Sequence, residues 1–223
     1  KIWVKNIKRM KISYGITVHN EVDELERLLG NLLVGIEEQD EVVICVDGNH
    51  KGVKDVIELY SIDSRVIHYN RKLDGNFADH KNSVIEKSSG DYIFHIDADE
   101  YPHKTLLQQL PQIVEMNDVD LIWIPRVNTI EGMTEEHIQR WGWRVTENRW
   151  VNYPDYQARV FRNHKEIRWT RPLHEHIVGC KTYSHLPPLE ELSLYHPKTI
   201  QKQEQQNLFY NQNFSKELNV RHS

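Results

Sequence analysis

Cysteine is nearly absent: Cys45 and Cys180 are the only two in 223 residues. Cys45 sits inside an apolar run and Cys180 follows a glycine, so neither a disulfide framework nor a cysteine-based zinc site is expected. The expected setting is a reducing, cytoplasmic one. Long apolar stretches are also missing. No run approaches the ~20 residues that cross a bilayer, and no charged leader precedes an apolar segment. The expectation is a chain without a transmembrane segment, for which peripheral membrane contact stays open. The chain starts at Lys1 rather than Met, so a trimmed N-terminus and further domains also stay open. A basic excess is lacking too. Lys and Arg total 28 against 33 acids, for a net charge of -5, which argues against a nucleic-acid partner. There are no internal repeats. What is present is ordinary Gly and Pro content and 39% hydrophobic residues, enough for a real core.

The pattern along the chain alternates. After a basic lead-in (residues 1–10), Ile12–Val18 reads as a strand. Asn20 is placed to cap a helix whose apolar face is Val22, Leu25, Leu28, Leu29, Leu32 and Leu33. Val42–Val46 is a second strand, Val53–Tyr60 a helix, and Arg65–Tyr69 a third strand. A polar loop over 70–76 leads into a helix from Phe77 to Lys87, and then an apolar strand over 91–96. This order predicts an α/β fold with a mostly parallel sheet flanked by helices. Ligands in such sheets collect beyond the carboxyl ends of the strands. Three of those ends are polar: His19-Asn20-Glu21, Asp47-Gly48-Asn49 and Asp97-Ala98-Asp99-Glu100. A further helix (Leu106 to Val114) and strand (121–125) follow.

Beyond 125 the periodicity breaks. Residues 126–157 carry Trp141, Trp143, Trp150, Tyr153 and Tyr156 with scattered charge, and read as a long irregular insertion of the kind that forms lids or binding loops. Short strands resume near 158–162, 167–169 and 193–196, and the alternating His174 and His176 of a strand would point to one face. The tail from Thr199 to Leu218 is glutamine-rich and compatible with a helix. The expected organisation is one domain over 1–223, with a first half over about 12–125, a second over about 126–198, and a helical tail.

Two Asp-x-Asp pairs occur among thirteen aspartates, about what chance allows: Asp97/Asp99 and Asp118/Asp120. Their positions separate them. The second pair precedes a strand and reads as a turn that ends a helix. The first follows a buried strand, where three carboxylates within four residues would repel one another without a cation. Mg²⁺ or Mn²⁺ suits such oxygen ligands and keeps sites open for phosphate.

Asn76-Phe77-Ala78-Asp79-His80-Lys81-Asn82, then Gly90-Asp91-Tyr92 and Asp97-Ala98-Asp99-Glu100, resemble family-2-type glycosyltransferases of the GT-A fold. The branch in question reads roughly D-F-A-x-x-R-N, G-D, L-D-A-D-E. Val18-His19-Asn20-Glu21 is similar to its K-N-E, and Asp47-Gly48-Asn49 to its D-T-G-S-like segment. Ala158-Arg159-Val160-Phe161-Arg162, His174-Glu175 and Tyr195-His196 are similar to its R-L-F-R, H-E and late H-Y-G. The landmarks cover roughly residues 12–197. Departures are Lys81 for Arg, Asp79 and His80 for small residues, Asn49-His50 after the glycine, and Pro197 for the late Gly.

The resemblance implies sugar transfer from a UDP- or GDP-linked donor to an acceptor hydroxyl, with inversion in a single displacement. It implies Asp97 and Asp99 as metal ligands, with Asp97 contacting ribose as an alternative, and His174 or His196 as a third ligand. His19, Asn20, Glu21, Asp47, Asn76, Asp79 and Lys81 would line the nucleotide-sugar pocket. Glu175, Asp155 and Glu100 are the candidate bases. The region after the sheet would face the acceptor, which the sequence leaves as a glycan, lipid or protein. Each residue also has a plainer reading: capping for Asn20 and Glu21, a turn for Asp47, a solvated helix lysine for Lys81. Two other activities fit the fold class. A sugar-nucleotide nucleotidyltransferase would need a Gly-rich basic loop after the first strand, where His19-Asn20-Glu21 stands. A non-catalytic binding module would not need the acid triplet or the His-Glu pair.

Overall fold

The structure, a computed structural model, describes residues 9–213. Its first half alternates without interruption: β1 (Ile12–Val18), α1 (Val22–Gly35), β2 (Glu41–Val46), α2 (Lys51–Tyr60), β3 (Val66–Asn70), α3 (Phe77–Lys87) and β4 (Tyr92–Asp97). The second half holds β5 (Tyr101–Pro102), α4 (Lys104–Asn117), β6 (Leu121–Ile124), β7 (Arg126–Glu131), α5 (Glu135–Trp141), β8 (Gln157–Arg162), β9 (Arg168–Thr170), β10 (His176–Val178), β11 (Tyr183–His185), β12 (Leu194–Thr199) and α6 (Ile200–Asn213).

Seven strands form the main sheet in the order β11-β6-β8-β4-β1-β2-β3. Strand β8 runs antiparallel to both its neighbours, β4 and β6, while the other pairings are parallel. The second half therefore inserts a strand into the sheet of the first. Strands β1, β2 and β4 are buried almost throughout rather than at alternate residues, because both their faces are covered. One face (Ile12, Tyr14, Ile16; Val42, Ile44; Tyr92, Phe94, Ile96) packs against α1, α2 and α4. The other face carries Ile93 and Phe161 under α3 and the β9–β10 hairpin, with Trp169 between them. Gly15 lets α3 lie close on β1: a Cβ there would meet Val84 Cγ1 at 2.5 Å. Among the described residues, no helix is long and apolar enough to cross a membrane.

Three expectations are corrected. The helix after β1 starts with Glu21 at the cap position, not Asn20, and the Glu21 carboxylate accepts the His19 and Asn20 N–H groups (2.8 and 3.1 Å). The segment 126–157 is not wholly irregular, because it contains β7 and α5. Its strand signal is masked because Arg126 and Asn128, one face of β7, are polar groups with buried partners. His174 lies in a turn with φ +52 rather than on a strand with His176. The tail forms α6 as expected up to 213; the lead-in over 1–8 and the tail beyond 213 lie outside the described residues.

The amino ends of the central strands are tied by one acid. Buried Glu41 accepts Lys11 Nζ (2.6 Å), Ser13 Oγ (2.6 Å), Ser89 N (2.6 Å) and Ser89 Oγ (2.8 Å), joining β1, β2 and the turn before β4. Burial alone would raise its pKa, but these donors win and hold it at about 2. A carboxyl lowered on folding contributes fully above its ordinary value of 4.5 and loses that contribution as pH falls toward 2. Glu41→Gln is expected to cost about 2–3 kcal/mol in urea denaturation at pH 7. The gap to wild type should shrink as pH drops below 4.5. A gap unchanged at pH 3 contradicts this account.

Candidate active site

The three polar strand ends meet. Residues at the ends of β1, β2 and β4 pair as Thr17 with Asp97 and Val18 with Val46, so His19, Asp47 and Asp97 open onto one edge. Asp47 Oδ1 accepts the Leu73 N–H at 3.0 Å, and Oδ2 lies 3.2 Å from His19 Nδ1. Asn76 caps α3: its Oδ1 accepts Asp79 N (3.1 Å) and its Nδ2 donates to Asp79 Oδ2 (2.8 Å). The plainer capping role therefore accounts for the contacts of Asn76 and Asp79.

Lys81 is not a solvated helix lysine. One turn into α3, it is buried, with its ammonium 3.2 Å from Asp97 Oδ1, 3.5 Å from Glu175 Oε1 and 4.8 Å from the centre of the Trp169 ring. Burial opposes its charge, but Asp97 and Glu175 overcome that and raise its pKa. Helix α3 is fixed against this region by Asn82, which exchanges two 2.9 Å hydrogen bonds with the Trp169 backbone. The Phe77 N–H also donates to Pro172 O at 3.0 Å.

Buried Arg159 on β8 faces Asp97 because Ile93 pairs with Phe161, putting both strands' odd residues on the α3 side. Its Nη2 donates to Asp97 Oδ2 (2.5 Å) and Glu100 Oε1 (2.7 Å). Arg126 Nη1 donates to the same Glu100 oxygen (2.7 Å), and its Nη2 to Asp155 Oδ2 (2.6 Å). The result is one chain of alternating charge: Asp155, Arg126, Glu100, Arg159, Asp97, Lys81, Glu175. Burial pushes the Asp97 carboxyl up, but Arg159 and Lys81 outweigh it and hold it well below the carboxylate range. His95, fully buried 3.8 Å from Asp97, is held neutral, first by burial and then by Lys81.

Asp99 has different company. Strand β12, hydrogen-bonded between β5 and β7, brings His196 Nε2 to 3.4 Å from Asp99 Oδ2; Lys202 Nζ on α6 lies 3.7 Å from the same oxygen. Asn128, opposite His196 in the register, donates from Nδ2 to Asp155 (2.9 Å) and Val151 O (3.3 Å). Its Oδ1 therefore faces His196 Nδ1 at 2.7 Å, which makes Nδ1 the protonated nitrogen. Burial, and then the charge of Arg126, lower the His196 pKa, so the ring is neutral at pH 7. Its bare Nε2 then confronts the Asp99 carboxylate. Two acceptors facing each other at this distance suit a shared cation, and the hydrogen bond at the far nitrogen is how metal-binding imidazoles are oriented. The residues fit a divalent ion at Asp99 and His196, with other positions left to ligand oxygens. Among the described residues, no three His, Cys, Asp or Glu side chains converge on one point. The expected set of Asp97, Asp99, His174 and His196 is thus not gathered: Asp97 is turned toward Arg159 and Lys81.

The second Asp-x-Asp pair behaves as its position predicts. Asp118 ends α4 in the left-handed region, and Asp120 accepts the backbone N–H groups of Lys181 and Thr182. The sequence reading missed Arg126, Asn128, Lys198 and Lys202. One signal was available, since the two-residue strand period puts Lys198 on the same face as His196. The aromatic residues of 141–153 pack in pairs, Trp141 on Trp143 (4.7 Å) and Trp150 on Tyr153 (4.8 Å).

Removing one partner of a buried charge chain strands the others. Arg159→Met should cost about 3 kcal/mol or more in urea denaturation. Arg162→Met, on the same strand but paired with the exposed Asp118, should cost about 1 kcal/mol or less. Equal costs contradict the chain as described.

Comparison with known proteins agrees with this architecture. Over 112 residues the chain is 30% identical to an uncharacterised glycosyltransferase of Rickettsia bellii, covering 50% of this chain and 16% of that protein. Over 111 residues it is 22% identical to the uncharacterised glycosyltransferase EpsJ of Bacillus subtilis, covering 50% of this chain and 32% of the other. The chain therefore spans a third or less of each of these curated relatives. The crystal structure of S. aureus TarS 1-349 in complex with UDP-GlcNAc superposes with a TM-score of 0.62 at 15% identity, over 85% of this chain and 59% of that one. That likeness identifies the α/β sheet as GT-A-like. The pattern of glycosyl transferase family 2 matches residues 13–186, and with it the chain belongs to that family.

Proposed function

We propose that the chain transfers a sugar from a nucleotide diphosphate sugar, UDP- or GDP-linked, to an acceptor hydroxyl with inversion. The observation that carries this reading is the Asp99–His196 pair, with Nε2 3.4 Å from the carboxylate and Nδ1 held by Asn128, just beyond the end of β4. Residues of about 12–125 bind the donor and those of about 126–198 the acceptor.

Asp99 and His196 would hold Mn²⁺ or Mg²⁺, which when bound supplies Lewis-acid stabilisation of the departing diphosphate. Asp47 and His19 face the nucleoside, and Lys81 with Arg159 holds Asp97 at the pocket floor. Of the three candidate bases, Glu175 fits best. Glu100 is fully buried between two guanidiniums, and Asp155 accepts from Arg126, Asn128 and Gln157. Both are occupied by these partners and act here as positioning groups. Among the described residues Glu175 pairs with a single cation, Lys81, at 3.5 Å. In the step itself Glu175 takes the acceptor hydroxyl proton, and the hydroxyl oxygen forms the bond to the anomeric carbon. The bond from that carbon to the phosphate oxygen breaks, and its electron pair leaves with the nucleoside diphosphate.

Incubation with Mn²⁺ and a panel of UDP- and GDP-sugars should give slow nucleotide release. A nucleotidyltransferase would instead require a nucleoside triphosphate and release pyrophosphate. A binding module would shift its melting temperature and release nothing. Asp99→Ala is expected to abolish transfer and metal-dependent nucleotide binding with the protein still folded by circular dichroism; full activity would overturn the assignment. Glu175→Gln should lower kcat about 10²–10⁴-fold while nucleotide binding persists. Loss of binding in parallel would remove Glu175 from the role of base.

A further inference from the structure

The mechanism leaves Lys202 unused. Lys202, in the first turns of α6, donates to Glu24 Oε1 on α1 at 2.9 Å and lies 3.7 Å from Asp99 Oδ2. With Lys198 it lines a cleft of about 510 Å³ that also includes Asp23, Glu24, Arg27 and Thr199. We propose that Lys202 is a donor-binding residue held in reserve: it neutralises Asp99 before the donor arrives, and moves to the diphosphate when a divalent ion takes that carboxylate. This rests on the metal-assisted reading of Asp99 given above.

Three observations carry it. An ammonium and a divalent ion beside one carboxylate oxygen repel each other, so binding of the ion favours withdrawal of Lys202. The Lys202 side chain is 36% exposed, and its long flexible stem pivots without moving the backbone. The helix that carries it is docked mainly by polar ties: Lys198 to Gln206 (2.8 Å), Glu204 to Arg140 and His137 (each 3.9 Å). Ile200 is buried at its start, while Leu208 and Phe209 are exposed. Such a helix can shift at little cost. The nearest anionic group in the proposed reaction is the donor diphosphate, which the ion at Asp99 would bring within reach of a lysine displaced from that oxygen.

The test reads two ligands whose affinities should move in opposite directions. Calorimetry with Mn²⁺ alone, then with UDP and with GDP at saturating Mn²⁺, is run on wild type, Lys202→Met, Glu24→Gln and Asp99→Asn. Lys202→Met should bind Mn²⁺ about 2–5-fold more tightly, because the competing ammonium is gone. It should bind the preferred nucleoside diphosphate about tenfold more weakly. Glu24→Gln, which cuts the tie to α1 but keeps the ammonium, should not tighten Mn²⁺. Unchanged or weaker Mn²⁺ binding in Lys202→Met overturns the proposal. Equal tightening in Glu24→Gln overturns it as well, because loosening of α6 would then be the cause. Asp99→Asn separates the two levels. If wild type and Asp99→Asn bind Mn²⁺ alike, or neither binds it, the metal reading itself fails and the Lys202 proposal falls with it. If Asp99→Asn alone loses Mn²⁺, a null result in Lys202→Met counts against Lys202 only.

Discussion

The site depends on a buried chain in which acids and bases alternate from Asp155 to Glu175, so that each base lies between two acids. Burying charges is costly, and a chain of this kind is tolerable only because each member is neutralised by a neighbour at hydrogen-bond or ion-pair distance. Its seven members come from seven places: the end of β4, the turn between β4 and β5, β7, β8, the segment before β8, α3, and the turn before β10 that carries Glu175. The chain therefore acts as the joint between the parallel first half of the sheet and the inserted strand β8. It also decides what the acids at the end of β4 can do.

Asp97 is taken by two buried cations, Arg159 and Lys81. Asp99, two residues on, meets a neutral imidazole and the tip of a half-exposed lysine. The difference follows from strand geometry. Asp97 is the last residue in register and points to the α3 face with Ile93 and His95. Asp99 lies beyond the strand, in the turn that β5 and β12 close. The same four-residue motif thus divides into an acid neutralised by two buried cations and an acid that, in the proposed function, is left for a divalent ion.

Much of this was legible in the chain itself. The order and type of the first seven elements follow from unbroken apolar runs and one helical face. The convergence of three polar strand ends follows from parallel pairing. The contrast between Asp97/Asp99 and Asp118/Asp120 follows from position alone. What was hidden depends on partners distant in sequence. Nothing local in Ala158–Arg162 says that β8 enters the sheet antiparallel between β4 and β6, and that pairing is what aims Arg159 at Asp97. Strand β7 was obscured because Arg126 and Asn128 spend their polarity on Asp155 rather than on water. Asn20 met the local rules for a cap, yet the helix starts one residue later, with Glu21 at the cap position and its carboxylate folded back on the His19 and Asn20 N–H groups. His174 was paired with His176 by spacing, and a left-handed turn at His174 broke that periodicity.

The central claim is that a divalent ion binds at Asp99 and His196, and not at Asp97 beside His95. Histidine ring resonances in protein labelled with ¹⁵N at histidine, followed while Mn²⁺ is added in substoichiometric steps with a nucleoside diphosphate present, test it directly. Paramagnetic broadening should remove the His196 ring signals at the lowest Mn²⁺ additions, ahead of His95 and His176. Loss of the His95 signals first would put the ion on Asp97, and His196 signals that persist to stoichiometric Mn²⁺ would contradict the account.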